Sequence, residues 1–225
     1  MPEGSVCLLI GNSRWHWARY GTGGWTFDHS RPSPESLDNL NLLHWAAVGP
    51  IPPHSALAPS RRIELGDVPL PGSPPWLGVD RALAGWAAWR AADLRSQGGV
   101  LVADAGTVLS LTRVDADGVY AGGQLAAGFS LQLRAMAEGT CNLPPSDASD
   151  ALPEEFFPQP TLDAMRRGAV QSLVGLLLEA QHHCRWPLWL CGGDAPLLIH
   201  GLHQRGGNLV HAPNLVMEGM VALIS

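Results

Sequence analysis

The stretch that constrains this chain most is Val100-Leu-Val-Ala-Asp104-Ala-Gly106-Thr107-Val-Leu-Ser-Leu-Thr-Arg113. A β-branched and aliphatic run stops at an acid, turns at glycine and resumes with apolar Val108, Leu109, Leu111 and Val114, which predicts strand, tight turn, strand. The acid is left at the carboxyl end of a buried strand. Gly106 has no Cβ, so the N–H groups of the turn can approach a phosphate. The pattern occurs again in Ser5-Val-Cys-Leu-Leu-Ile-Gly11-Asn-Ser13-Arg-Trp-His-Trp17. Aligning Gly11 with Gly106 sets Leu9 opposite Asp104. Two such turns imply a duplicated architecture with a ligand held between the halves; two unrelated glycine hairpins would give the same spacing.

Composition narrows the function. A net charge of −6 argues against nucleic-acid binding, for which a basic face is expected. All 14 basic residues are arginine, which excludes a phosphate loop of the kind that needs a lysine on the phosphates. Cys7, Cys141, Cys184 and Cys191 have no C-x-x-C spacing and are expected to be reduced and mostly buried. His182-His183-Cys184, at an expected helix end, lacks distant partner ligands and is read as structural or solvated. No apolar run is long enough to span a bilayer, so no membrane association and a cytoplasmic location are expected.

Along the chain, the first hairpin and a strand at Trp25–Phe27 make a three-strand meander, with Trp15 and Trp17 on one face and Arg14 and His16 on the other. Ser33-Pro34-Glu35 predicts a helix over 33–43, and His44–Val48 a buried strand. A proline-rich stretch from Pro50 to Pro75 reads as packed loop leading to a site, with one strand-like piece at Arg62–Leu65. It delivers Gly78-Val79-Asp80-Arg81 and an alanine-rich helix to about Arg95. Strands are expected at 99–104, 107–114, 118–125 and 187–190, and near Leu209. Helices are expected over 129–138, from Thr161 or Asp163 to about His182, after Asp194, and from about Glu218. The alternation gives an α/β fold, divided near residue 97.

Gly78-Val79-Asp80-Arg81 is the most suggestive chemical pair. An acid at a helix start can orient a hydroxyl and take its proton as a phosphoryl-transfer transition state develops. The adjacent arginine can grip a carboxylate with two hydrogen bonds. The same spacing also suits a capping acid and a surface ion pair. Cys191-Gly192-Gly193-Asp194 ends a buried strand, where a base or ribose can pack on bare backbone; an ordinary strand-to-helix turn reads the same way.

Taken together the motifs resemble those of type III pantothenate kinases, within the acetate and sugar kinase, Hsp70 and actin superfamily. Gly11-Asn12-Ser13-Arg14 with Trp17 resembles the family's Asp-x-Gly-Asn-Thr-Arg opening, Gly78-Val79-Asp80-Arg81 its Gly-x-Asp-Arg motif, and Asp104-Ala-Gly-Thr107 its second phosphate motif. Gly122-Gly123, Gly128 and Thr140-Cys-Asn-Leu143-Pro144 are similar to a later block. Gly192-Gly193-Asp194 and Leu215-Val-Met-Glu218-Gly219 are similar to the family's ending. The resemblance runs in order over nearly the whole chain.

The resemblance implies an α/β fold of duplicated ribonuclease H-like (actin-like ATPase) halves, 1–97 and 98–225, each a mixed sheet flanked by helices. It implies ATP-dependent phosphorylation of pantothenate to 4'-phosphopantothenate, the first step of coenzyme A biosynthesis, with ATP in the cleft. Asp80 is then the proton acceptor, and Gly78, Val79, Asp80, Arg81 and Thr140 hold pantothenate. Leu9, Ile10, Gly11, Asn12, Ser13, Arg14, Trp15 and His16 hold ATP together with Thr107. Asp104 binds a monovalent cation, K+ or NH4+, beside Mg2+, and a homodimer is expected. Leu9 stands where the family opening has an acid that helps hold magnesium, which an apolar side chain cannot do. Ala127 stands where the family usually has proline, and only Trp76 matches the aromatic that precedes Gly78. A non-catalytic ATP- or pantothenate-binding regulator is the alternative. A kinase for a carboxylate or sugar is a third, and it leaves Asp80-Arg81 and the Thr140 segment unexplained.

Overall fold

The computed structural model describes residues 1–40, 42–92, 98–146 and 152–224. Its strands and helices alternate as the sequence predicts. The first sheet is built of β1 (Val6–Ile10), β2 (Trp15–Gly21), β3 (Gly24–Ser30) and β4 (Leu42–Ala47), in the order β3-β2-β1-β4. The meander β1–β2–β3 is antiparallel, and β4 lies parallel to β1. Alternation divides these strands between two faces. Val6, Leu8, Ile10, Trp15 and Trp17 enter one apolar core with Leu37, Leu42, Trp45 and Leu57, so the two tryptophans are core, in edge-to-face contact at 5.9 Å. Cys7 and Leu9, also buried, leave by the other face, and α1 (Val79–Ala91) and α5 (Leu215–Leu223) pack against this sheet and each other.

The second sheet contains β5 (Gly99–Ala105), β6 (Val108–Asp115), β7 (Tyr120–Ala127), β8 (Leu188–Cys191) and β9 (Leu209–His211), in the order β7-β6-β5-β8-β9. β8 runs parallel to both β5 and β9. Leu101, Ala103 and Ala105 alternate into a core shared with α2 (Phe129–Glu138), α3 (Thr161–Cys184) and α4 (Ala195–Gln204). The central strand of each sheet therefore has an antiparallel hairpin on one side and a parallel strand on the other.

Two compact units result, each discontinuous in sequence. The first contains Met1–Ala92, Val114–Ala121 and Asn214–Ser225; the second contains Asp93–Arg113 and Gly122–Pro213. In the first, the tip of the β6–β7 hairpin packs on α1, where Trp89 Nε1 donates to Ala116 O at 3.1 Å, and the Tyr120 N–H donates to Pro71 O at 2.8 Å. Also in this unit, Gly219 of α5 lies so close to α1 that a Cβ there would fall 2.5 Å from Leu83 O.

Several expectations need correction. The helix expected over 33–43 is a single 3-10 turn, Pro34–Leu37, and β4 already begins at Leu42; Asn41 lies outside the described residues. Proline at the first turn starts a helix, but Asn39 takes a left-handed φ of 57° that a helix cannot continue through. Arg62–Leu65 makes only one bridge, Trp45 to Arg62, before a 3-10 turn at Leu65–Asp67. The last helix starts three residues earlier than predicted, at Leu215. The end of the helix expected to reach Arg95 lies outside the described residues. Two of the four cysteines, Cys7 and Cys191, are buried, while Cys141 is exposed and Cys184 half-buried.

Candidate functional site

In the first unit, β1 runs out at Ile10 and the chain turns at Gly11, whose N–H donates to Arg14 O at 3.0 Å. Only Asn12, Ser13 and Arg14 of this turn are exposed. Leu9, Ile10 and Trp15 bury their side chains, so any contact they make with a ligand goes through backbone, and His16 is half-buried. The turn is crossed by the end of β4. Val48 and Gly49 both donate N–H to Ile10 O, at 2.9 and 3.0 Å. A Cβ on Gly49 would lie 2.2 Å from Gly11 O and 2.9 Å from Asn12 N, closer than a side chain can sit against fixed backbone. Sequence reading treats Gly49-Pro50 only as the close of a strand; its other role becomes visible once β4 pairs with β1.

Val48 continues the surface toward the acid. Its Cγ1 is 3.7 Å from where a Cβ on Gly78 would sit, and that same Cβ would lie 2.4 Å from Asp80 Oδ1. Gly78 is thus the residue that leaves room for the carboxylate. Asp80 occupies the first turn of α1, whose positive dipole end favours a negative charge. The Arg81 N–H donates to Asp80 Oδ1 at 2.8 Å. Burial still prevails and pushes the carboxyl above its ordinary 3.8, against that hydrogen bond and the Arg81 charge. Beside Gly78 and Val79 opens a cavity of 960 Å³, walled by the proline-rich segment from Arg62 to Pro75 together with Ala47, Val48 and Leu77. The proline-rich stretch expected as packed loop forms this wall.

In the second unit Asp104 stands at the end of β5, half-buried, with Gly106 and Thr107 forming the turn. Two glycines close on it. Gly128, at the start of α2, donates N–H to Thr107 O at 3.0 Å, and a Cβ there would lie 2.1 Å from Gly106 O. Gly192 follows β8 at φ +90°, a left-handed conformation that strains other residues, and a Cβ there would lie 2.4 Å from Asp104 Oδ1 and 2.5 Å from Ala105 O. Asp194 N–H donates to Ala105 O at 2.8 Å. The Asp104 carboxylate is a hard oxygen donor, suited to Mg2+ or K+ when phosphate oxygens complete the shell. Among the described residues no three His, Cys, Asp or Glu side chains gather in a group that could hold a metal by themselves, and the His182-His183-Cys184 end of α3 belongs to none. Thr140, just past α2, is exposed; its Oγ1 donates to Met136 O at 2.8 Å and accepts from the Leu143 N–H at 3.4 Å.

The structure thus joins Gly11 and Gly78–Arg81 through Val48 and Gly49 in the first unit. Asp104, Gly106, Thr107 and Gly192 gather in the second, which also carries Thr140.

Comparison with known proteins follows the same lines. A family model described as type III pantothenate kinase matches residues 56–182. The type III pantothenate kinase of Synechococcus sp. (strain JA-3-3Ab) is 33% identical over 231 residues, covering 96% of this chain and 90% of that protein. The type III pantothenate kinase of Synechococcus elongatus is 33% identical over 239 residues, covering 96% and 94%. Among solved structures, a conserved putative Baf family transcriptional activator from Campylobacter jejuni gives a TM-score of 0.64 at 18% identity, over 97% of this chain and 96% of that one. A putative 2-dehydro-3-deoxygalactonokinase from Sinorhizobium meliloti gives 0.59 at 15% identity, over 98% and 95%. These structural likenesses concern fold, and the fold is the expected α/β one of the actin-like ATPase and sugar kinase type.

Proposed function

The chain belongs to the type III pantothenate kinase family, and we propose that Gly78–Arg81 with the adjoining Gly11 turn is where it works. It is a kinase that uses ATP to phosphorylate pantothenate, giving 4'-phosphopantothenate at the entry to coenzyme A biosynthesis. Asp80 accepts the proton of the attacking primary hydroxyl. Its carboxyl, pushed upward by burial, is a stronger base than a solvated one, and it acts as bonding to the γ-phosphorus develops. Arg81 pairs with the pantothenate carboxylate, and the cavity beside Gly78 takes the rest of the vitamin. The Gly11 turn, exposed at Asn12–Arg14, holds phosphates. On the second unit Asp104 holds the cation, Thr107 meets ATP and Thr140 contacts pantothenate. Bound Mg2+ and a monovalent cation, K+ or NH4+, neutralise phosphate charge.

The observation that carries this reading is the single continuous surface from the Gly11 turn through Gly49 and Val48 to Gly78 and Asp80. It supports the reading because the Asp80 carboxylate and the Gly11 turn then lie along one surface within one unit.

The protein is further proposed to be a cytoplasmic homodimer that binds neither nucleic acid nor membrane. Support comes from the net charge of −6, and no helix among the described residues is long and apolar enough to cross a membrane. β7, an edge strand with Leu125 65% exposed, is the kind of surface a second subunit covers. ADP release measured with ATP and pantothenate, first in potassium and then in sodium, tests the reading. Pantothenate-dependent ADP release that is faster in potassium is expected. Folded protein that binds ATP without turnover in either salt would leave a binding protein instead.

A further inference from the structure

His16 and Leu9 are cross-strand partners in β1 and β2, so both side chains leave the sheet on the same face. His16 is also paired with His29 on β3, and the two Nδ1 atoms lie 2.8 Å apart. One imidazole must therefore donate and the other accept. The far nitrogen of His16, Nε2, points at the phosphate turn, 3.4 Å from the position a Cβ on Gly11 would take. The ring is thus held by its neighbour at one nitrogen and offers the other to whatever the turn binds.

The surroundings of this ring favour its neutral form. Burial is the main cause; the His29 ring and the Arg14 guanidinium add to it, and together they lower His16 to about 4. Across the strand, β1 offers Leu9 and the Cys7 thiol, itself pushed up to about 11 by burial and so uncharged. On β3 the nearby acid Asp28 is engaged by Arg19 at 3.1 Å. α5, which packs on β2, carries one titratable group, Glu218, whose carboxyl burial raises. A triphosphate arriving at Gly11 would be the nearest strong anion to Nε2, and its charge favours the imidazolium.

We propose that the His16–His29 pair is a proton-coupled ligand for the nucleotide, so that ATP binding at the Gly11 turn draws one proton from solvent onto His16. In the charged pair His16 donates from Nε2 to a phosphate oxygen and from Nδ1 to His29, which turns to its Nε2–H tautomer and accepts. This deepens the kinase reading and rests on the Gly11 turn being a phosphate site. It also gives Leu9 a consequence: an acid there would hold residue 16 charged in advance, whereas leucine leaves the charge to be induced by the substrate.

The test is calorimetric titration of the full chain with ATP at pH 6, in two buffers of different ionisation enthalpy, for wild type and His16→Gln. Glutamine keeps a donor but cannot titrate, so the difference between the two removes protonation of the nucleotide's own phosphates. Wild type should take up more protons than the variant. Its affinity should gain up to about tenfold per pH unit of acidification above pH 4, relative to the variant. Nitrogen-15 histidine spectra of wild type, with and without ATP, give a second readout free of any variant: the His16 midpoint should move up on binding. ATP binding with equal proton uptake in both proteins and an unmoved His16 midpoint overturns the proposal and leaves the kinase reading intact. Failure of wild type to bind ATP overturns both.

Discussion

The two glycine turns end the central strands of sheets with matching strand order, β3-β2-β1-β4 and β7-β6-β5-β8, yet their electrostatics differ. At the second, Asp104 stands half-exposed with Gly192 and Gly128 closed around the turn. At the first, the aligned position is Leu9, 3% exposed, and the polar group opposite it is a neutral imidazole. The backbone solution is shared: in each, a glycine after the neighbouring parallel strand approaches the turn so closely that a Cβ on it would overlap the turn's backbone. The side chains are not. A fold can keep a glycine turn in place by backbone crossing while the charge beside it changes, because the crossing depends on missing Cβ atoms rather than on any ionisable group.

Substitutions at the two turns test that contrast. The largest effect is expected at Asp104, which has no carboxylate counterpart in the first turn. Asp104→Asn should lower kcat/KM by at least about a hundredfold and weaken the potassium response, since a metal-supported phosphoryl transfer depends on several kcal/mol from its cation; steady-state rates across a potassium series check this. Next come the crossing glycines. Gly192→Ala should cost more stability than Gly49→Ala, because it adds left-handed strain of about 1–3 kcal/mol to the overlap that both share; denaturant melts of both variants decide it. Equal losses would show that overlap alone matters.

Leu9→Asp is expected to act more gently. It should reduce the magnesium needed for half-maximal rate by about tenfold and move the His16 midpoint up from about 4 toward the ordinary 6.5. An unchanged magnesium response would remove position 9 from the metal's surroundings. The smallest effect concerns acid stability. His16 binds its proton more weakly folded than unfolded, so wild type should lose stability as pH falls from about 6.5 to about 4. His16→Gln should lose less over that window, as thermal midpoints at stepped pH would show.

Much of this was legible in the sequence because it lies in local pattern. The strand ending at Asp104, the turn at Gly106, the helix over 129–138 and the Gly78–Arg81 motif each follow from a few adjacent residues, and the structure has the same strand, turn and helix there. What escaped depends on pairing between distant segments. Gly49 matters through its approach to Gly11, which requires the parallel β1–β4 pairing, and His16 gains its partner only through the register with His29. The helix expected over 33–43 failed for the opposite reason. Its start signal was sound, but one left-handed residue, Asn39, and the early start of β4 cut it to a turn.

Asp80, lodged where Gly78 leaves it room, is the group proposed to take the proton from pantothenate. Burial raises its carboxyl, so the folded protein holds this proton to higher pH than the unfolded chain does, and ionising it costs stability as pH rises above 3.8. Asp80→Asn should therefore be no less stable than wild type at neutral pH while being catalytically crippled. The direct measurement is transfer of γ-phosphate label from ATP to pantothenate by wild type and Asp80→Asn, each saturated with nucleotide. Labelled 4'-phosphopantothenate is expected from wild type, with at least roughly a hundredfold slower transfer by the variant at unchanged ATP affinity. Transfer at the wild-type rate by Asp80→Asn would contradict this role for Asp80.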